Sequence, residues 1–221
     1  MKTHTKEFQE NLTPQQAFEV LEEGNKRFIN NLKVNRNLLQ QLNDTQHAQY
    51  PFAVALSCMD SRTSVELIFD QGLGDIFSIR IAGNIVNDDI VGSMEYACQV
   101  TGSKLIVVLG HSRCGAIKGA CERVEMGNLT GLLEKIRPSI EKTGMYQEAD
   151  SHSTSYSEKV AYVNVLHSID EIMERSSILR SMYRDGRIGL VGAMYSLDNG
   201  QVHFIKKMFA EHELINATQT V

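Results

Sequence analysis

Apolar residues in this chain follow two different periods, and the change comes near residue 51. Thr13-Pro14 supplies an N-cap with proline at the first helical position. Ala17, Phe18, Leu21 and Phe28 then share one helical stripe, which predicts a helix to about Asn31. An Asn/Gln-rich polar stretch follows up to Pro51 and reads as a connector, not as core. Beyond Pro51, strand-length apolar runs alternate with helical patterns. Strands are predicted at Phe52–Ser57, Asp75–Arg80, Lys104–Leu109, Ile188–Ser196 and Gln201–Ile205. Helices are predicted over Thr63–Phe69, Asp88–Val100, Gly115–Val124, Leu129–Thr143, Ser155–Glu174 and Ser176–Asp185. Asp198-Asn199-Gly200 between the last two strands is a hairpin signal.

Strands that are continuously apolar, separated by helices, indicate buried parallel strands covered on both faces. The expected fold is therefore α/β, with a mainly parallel central sheet, one antiparallel edge pair and an N-terminal helical arm. Residues 1–50 form that arm, expected to pack on a partner subunit. Residues 51–221 form the α/β domain.

Composition narrows the partners. The chain has 221 residues, 42% hydrophobic and 22% charged, with a formal net charge of −5. That is ordinary for a globular protein and leaves no basic excess to neutralise nucleic-acid phosphates. The longest apolar runs suit strands, not a bilayer span, and the polar N-terminus shows no secretory pattern. Four cysteines, at 58, 98, 114 and 121, do not form the dense framework of a small secreted domain. A cytoplasmic location with reduced thiols is expected, with no nucleic-acid or membrane partner.

Two short motifs carry the chemistry: Cys58-Met59-Asp60-Ser61-Arg62 and His111-Ser112-Arg113-Cys114. Two thiols and one imidazole suit tetrahedral zinc with a position left over. A structural zinc would be closed by a fourth Cys or His at short spacing, and neither motif offers one. Each residue taken singly reads as a buried cysteine or core histidine; the ordered set does not. Both motifs fall at the C-terminal ends of predicted strands, the edge where open α/β sheets bind ligands. Asp60 is close enough in sequence either to orient a water in the vacant position or to bind the metal itself. A guanidinium from Arg62, paired bidentately with Asp60, would keep the carboxylate off the metal.

This set resembles the β-class carbonic anhydrases: C-x-D-x-R, then R-x-x-G-N at Arg80 to Asn84, then G-H-S-x-C-G at Gly110 to Gly115, in that order. The resemblance is close over Pro51–Val124 and looser at Val191–Tyr195. It implies one zinc per chain on Cys58, His111 and Cys114, with Asp60 and Arg62 as the catalytic dyad that orients the attacking hydroxide. It also implies interconversion of CO2 and bicarbonate, and homodimers or homotetramers built through exchanged N-terminal helices. Gln49 lies at the position of a glutamine found in the plant-like subtype, and the chain has no Trp from which the regulated subtype builds its bicarbonate site. The open, plant-like subtype is expected. Gln49 would donate to a bicarbonate oxygen, Phe77, Ala82 and Tyr96 would shape a slot for CO2, and Gly83 would allow close backbone approach. Alternatives are hydrolysis of CS2 or COS on the same fold, or a non-catalytic zinc-binding homologue; loss of Asp60 or Arg62 would favour the latter, and both are present. Cys98 and Cys121 read as packing residues. His4, His47, His152, His167, His203 and His212 sit in no motif, and none is singled out as a proton relay.

Overall fold

The computed structural model describes residues 3–145 and 155–210; His152 and His212 lie outside them. Five strands form one sheet: β1 (Ala53–Ser57), β2 (Ile76–Arg80), β3 (Leu105–His111), β4 (Gly189–Tyr195) and β5 (Val202–Met208), in the order β2-β1-β3-β4-β5. The first four are parallel and β5 runs antiparallel to β4, as the pattern predicts. β1 and β3 are buried at every position, because neighbours flank them on both sides and helices cover both faces. The edge strands β2 and β5 are only partly buried, which is why their sequences are more polar. The β4–β5 connection turns at Asp198-Asn199-Gly200, with Gly200 at φ 78°.

Successive residues of β1 feed opposite cores, as the two-residue period of a strand requires. Ala53 and Ala55 face Ala17, Phe18 and Leu21 of α2 (Pro14–Ile29) and Val65 and Ile68 of α4 (Val65–Ile68). Val54 and Leu56 belong to the other core, with α5 (Asp88–Glu95, continued by a π turn at Tyr96–Val100), α9 (Tyr156–Arg175) and α10 (Ser177–Arg184). A third cluster lies over the C-terminal ends of β1 and β3. It includes α6 (Gly115–Cys121), α7 (Gly127–Leu133) and Ile136. α8 (Arg137–Lys142) follows directly.

Several boundaries differ from expectation for identifiable reasons. His111 is the last residue of β3, paired with Tyr195, and does not lie beyond the strand. The helix expected from Thr63 is only Val65–Ile68, capped by position Ser64. The Thr63 hydroxyl donates instead to the carbonyls of Cys58 and Asp60, both at 2.9 Å. The single helix expected over 129–143 is broken into α7, a 3-10 turn and α8, which begins at Arg137-Pro138, where proline removes an N–H.

The N-terminal arm divides in two. α2, opened by a Thr13/Gln16 capping box, packs its stripe into its own sheet, and Asn25 bonds Ile68, Gly200 and Val202. A short polar helix with no apolar stripe to announce it, α1 (Lys6–Asn11), is tethered by the Gln9 amide, which donates to Pro51 O and Thr101 O. In contrast, α3 (Leu38–Thr45) lies within the stretch read as connector and leaves Leu38, Leu39 and Leu42 exposed. Among the described residues, no helix is long and apolar enough to cross a membrane.

Candidate metal centre

β1 and β3 are neighbours in the sheet, and the chain order reverses between them, so a crevice opens beyond their C-terminal ends. Cys58 follows β1, His111 ends β3, and Cys114 stands at the N-cap of α6. Their ligand atoms all lie within 4.8 Å of one another, and all three residues are buried. The two sulfurs are 3.9 Å apart and form no disulfide.

The imidazole orientation is fixed from behind. His111 Nδ1 lies 2.9 Å from Ser112 O, and a carbonyl only accepts, so Nδ1 carries the proton. Nε2 is then a bare lone pair, buried and without a hydrogen-bond partner. An orphaned acceptor of this kind is costly in a protein interior unless something binds it. The thiols are uneven. The Cys114 thiol hydrogen bond, helped by the nearby His111 ring and the Gly83 amide, pulls Cys58 well below the ordinary thiol range against the opposing effect of burial. Its bond to Cys58, together with burial, pushes Cys114 up, while the amides that open α6 act in the opposite sense. Two sulfurs in contact beside an unpartnered imidazole nitrogen form a donor set that a divalent cation can complete, displacing thiol protons as it binds.

Asp60 and Arg62 meet as a fork: Nε donates to Oδ1 at 2.9 Å and Nη2 to Oδ2 at 2.7 Å, and the Arg62 backbone N–H also reaches Oδ1. Arg62 holds the Asp60 carboxyl far below the usual carboxylate range, against the opposing effect of burial. The loop between Cys58 and Arg62 is itself anchored. Arg80 donates from Nε to Cys58 O at 3.2 Å and from Nη2 to Asp60 O, the same two carbonyls that Thr63 holds.

Comparison with known proteins agrees with this arrangement. The family model described as Carbonic anhydrase matches residues 53–202. Carbonic anhydrase 2 of Mycobacterium tuberculosis is 34% identical over 200 residues, covering 86% of this chain and 92% of that protein. The carbonic anhydrase of Mycolicibacterium smegmatis is 34% identical over 202 residues, covering 87% and 93%. The chain belongs to the carbonic anhydrase family. Its class is β, the fold of the solved β-carbonic anhydrase CafA from Aspergillus fumigatus, which superposes with a TM-score of 0.66 at 25% identity over 76% of this chain and 81% of that one.

In this carbonic anhydrase the structure brings Cys58, His111, Cys114, Asp60, Arg62 and Gly83 to one rim, with Ala82 beside Gly83 in the same 3-10 turn. Gly83 contributes more than space: its N–H donates to Cys58 Sγ at 3.4 Å. The remaining predicted pocket residues are elsewhere in the same chain. Phe77 is in register with Val54, four residues before Cys58 along β1, which separates it from the cluster by roughly 13 Å of strand. Tyr96 faces Phe77, with ring centroids 6.5 Å apart, in a groove lined by α5. Gln49 is exposed near the N-terminal end of β1. Sequence reasoning gave no role to Thr63 or Arg80, although Arg80 opens a quoted motif. Hydrogen bonds to loop carbonyls leave no periodic or spacing signal to find.

Proposed function

We propose that this enzyme holds one zinc ion per chain on Cys58 Sγ, His111 Nε2 and Cys114 Sγ and uses Asp60 and Arg62 to interconvert CO2 and bicarbonate. Membership of the family makes it a carbonate dehydratase. The observation that carries the finer reading is the buried three-donor cluster beside an acidic side chain already engaged by an arginine. Zinc, when bound, acidifies a water enough to make it a nucleophile near or above neutral pH.

The chain's own residues do the rest. Asp60 stays ionised across the working pH range and accepts a hydrogen bond from the attacking water, turning its lone pair toward carbon. Arg62 occupies both carboxylate oxygens, so Asp60 orients the water instead of taking the metal's fourth position. The water oxygen bonds to the carbon of CO2, a C=O electron pair moves onto oxygen, and the surplus proton passes to buffer. The Ala82–Asn84 turn lies against the cluster through the Gly83 N–H on Cys58 Sγ.

Gln49, Phe77 and Tyr96 sit too far along the sheet to serve the same chain's centre, so in this reading they serve the centre of a second copy. The exposed leucines of α3 support a homodimer or homotetramer in which that becomes possible. Reduced, closely spaced thiols fit a cytoplasmic setting.

Stopped-flow CO2 hydration by zinc-loaded protein tests the proposal, with CS2 and COS run alongside. Zinc-dependent hydration well above background is expected. Background rates with zinc bound, or turnover of CS2 or COS alone, would overturn it.

A further inference from the structure

Asn164 is a polar residue where packing alone asks for none. It lies in the middle of the 20-residue α9, 2% exposed, beside the fully buried Val160, Val163 and Val165. Asparagine is a poor helix former, and a buried amide is unfavourable unless its groups are bonded. Both of its groups are. Nδ2 donates to Gly83 O at 2.9 Å, and Oδ1 accepts from the Ser139 hydroxyl of α8 at 3.0 Å. The amide orientation is forced, because the Gly83 carbonyl can only accept.

One helical turn later, the Ser168 hydroxyl donates to Asn164 O at 2.7 Å and lies 3.4 Å from Asn84 O, so the same face of α9 lies against two consecutive carbonyls of the Ala82–Asn84 turn. That turn needs holding. Gly83 and Asn84 both have positive φ, 69° and 41°, and Gly83 points its N–H at Cys58 Sγ at 3.4 Å. A chain of contacts therefore runs from the interior of α9 through one residue, Gly83, whose carbonyl and N–H lie in successive peptides, to a sulfur of the cluster.

We infer that Asn164 is a positioning residue for the metal centre: through the Gly83 carbonyl it holds the Gly83 amide on the Cys58 sulfur. Groups that orient metal ligands from behind contribute about 10–100-fold to metal affinity. An N–H donated to a coordinating thiolate also lowers the electron density on sulfur. Losing it raises the energy of the sulfur donor orbital. The inference rests on the zinc reading proposed above.

Two variants of the full chain separate positioning from packing. Asn164→Leu keeps shape and burial but removes the donor to Gly83. Ser139→Ala removes the other half of the amide's bonding, the link to α8, and leaves the Gly83 bond in place. Zinc affinity is read by competition with a chromophoric chelator. The sulfur environment is read from the thiolate-to-cobalt charge-transfer band of the Co2+-substituted protein. Asn164→Leu is expected to weaken zinc binding about 10–100-fold and to move the band to longer wavelength. Ser139→Ala is expected to lower thermal stability while leaving affinity within about threefold of wild type and the band unmoved. Where Asn164→Leu does not yield folded protein, Asn164→Ser, too short to reach Gly83, takes its place with the same expected shifts. Wild-type affinity and spectrum in the Asn164 variants, or equal shifts in Ser139→Ala, would overturn the inference. Wild-type protein that binds no zinc would overturn the metal reading instead, a distinct result.

Discussion

Gly83→Ala places a methyl group where backbone geometry and packing both oppose it. At φ 69° an alanine pays the left-handed penalty of about 1–2 kcal/mol. Its Cβ would lie 2.8 Å from Ile136 Cδ1 and 3.4 Å from Ala116 Cβ. Ile136 is fully buried, so its methyl cannot swing into solvent, and overpacking of this kind costs about 1–3 kcal/mol. The two effects together predict a loss of about 2–5 kcal/mol, equivalent to a fall in Tm of about 4–20 °C for a chain of this length. Urea unfolding of the metal-free protein measures the loss without contributions from a bound ion. Ile136→Val removes the clashing Cδ1, so the double variant should recover most of the overpacking part beyond the sum of the single effects, and none of the φ part. Gly83→Ala within about 0.5 kcal/mol of wild type, the range of an unremarkable surface substitution, would refute the reasoning, as would a double variant showing no coupling.

Arg62→Ala frees Asp60 to turn toward the metal. Hydration of CO2 should fall about 100-fold or more, the scale of a positioned proton-handling group, while Tm changes little because the Arg62 side chain that is removed is about half exposed. Arg62→Lys should restore only part of the rate, since an ammonium cannot reproduce the fork; full activity in Arg62→Ala would contradict the dyad. Asp70 gives a pH prediction. Burial raises its carboxyl pKa, but Arg27, Arg36 and the Val34 N–H overcome that and leave it lowered. Its contribution is therefore complete above the unfolded value of about 3.9 and is lost as pH falls below that toward the folded one. Asp70→Asn should be less stable than wild type at pH 7 and should lose less on acidification below about pH 4, as followed by urea unfolding; parallel curves would contradict the assignment.

The central strands and the Cys58–His111–Cys114 cluster were legible because both leave local signatures. Fully buried parallel strands such as β3 read as unbroken aliphatic runs, and Cys58, Asp60, Arg62, His111 and Cys114 sit at fixed spacings at strand ends. What was not legible depends on tertiary partners. α1 has no apolar stripe and is held by the Gln9 amide and by Phe8, which packs against Phe52; Pro138 breaks a pattern that periodicity alone would continue. Thr63 reads as the first residue of a helix and instead clamps two carbonyls. Asn164, flanked by valines, offers no hint in sequence that its amide reaches a peptide 81 residues earlier. The pocket residues Gln49, Phe77 and Tyr96 show the limit of position-matching. A family position carries no statement of where the chain puts a residue, and within one chain Phe77 and Tyr96 lie along the sheet from the cluster while Gln49 is exposed near the other end of β1.

Titrating zinc into metal-free protein while following CO2 hydration tests the central claim most directly. Activity is expected to rise linearly, reach its plateau at one equivalent per chain and disappear on chelation, with Cys58→Ser, His111→Ala and Cys114→Ser each abolishing the high-affinity step. Hydration by the metal-free protein, or an unaltered titration in all three variants, would contradict it.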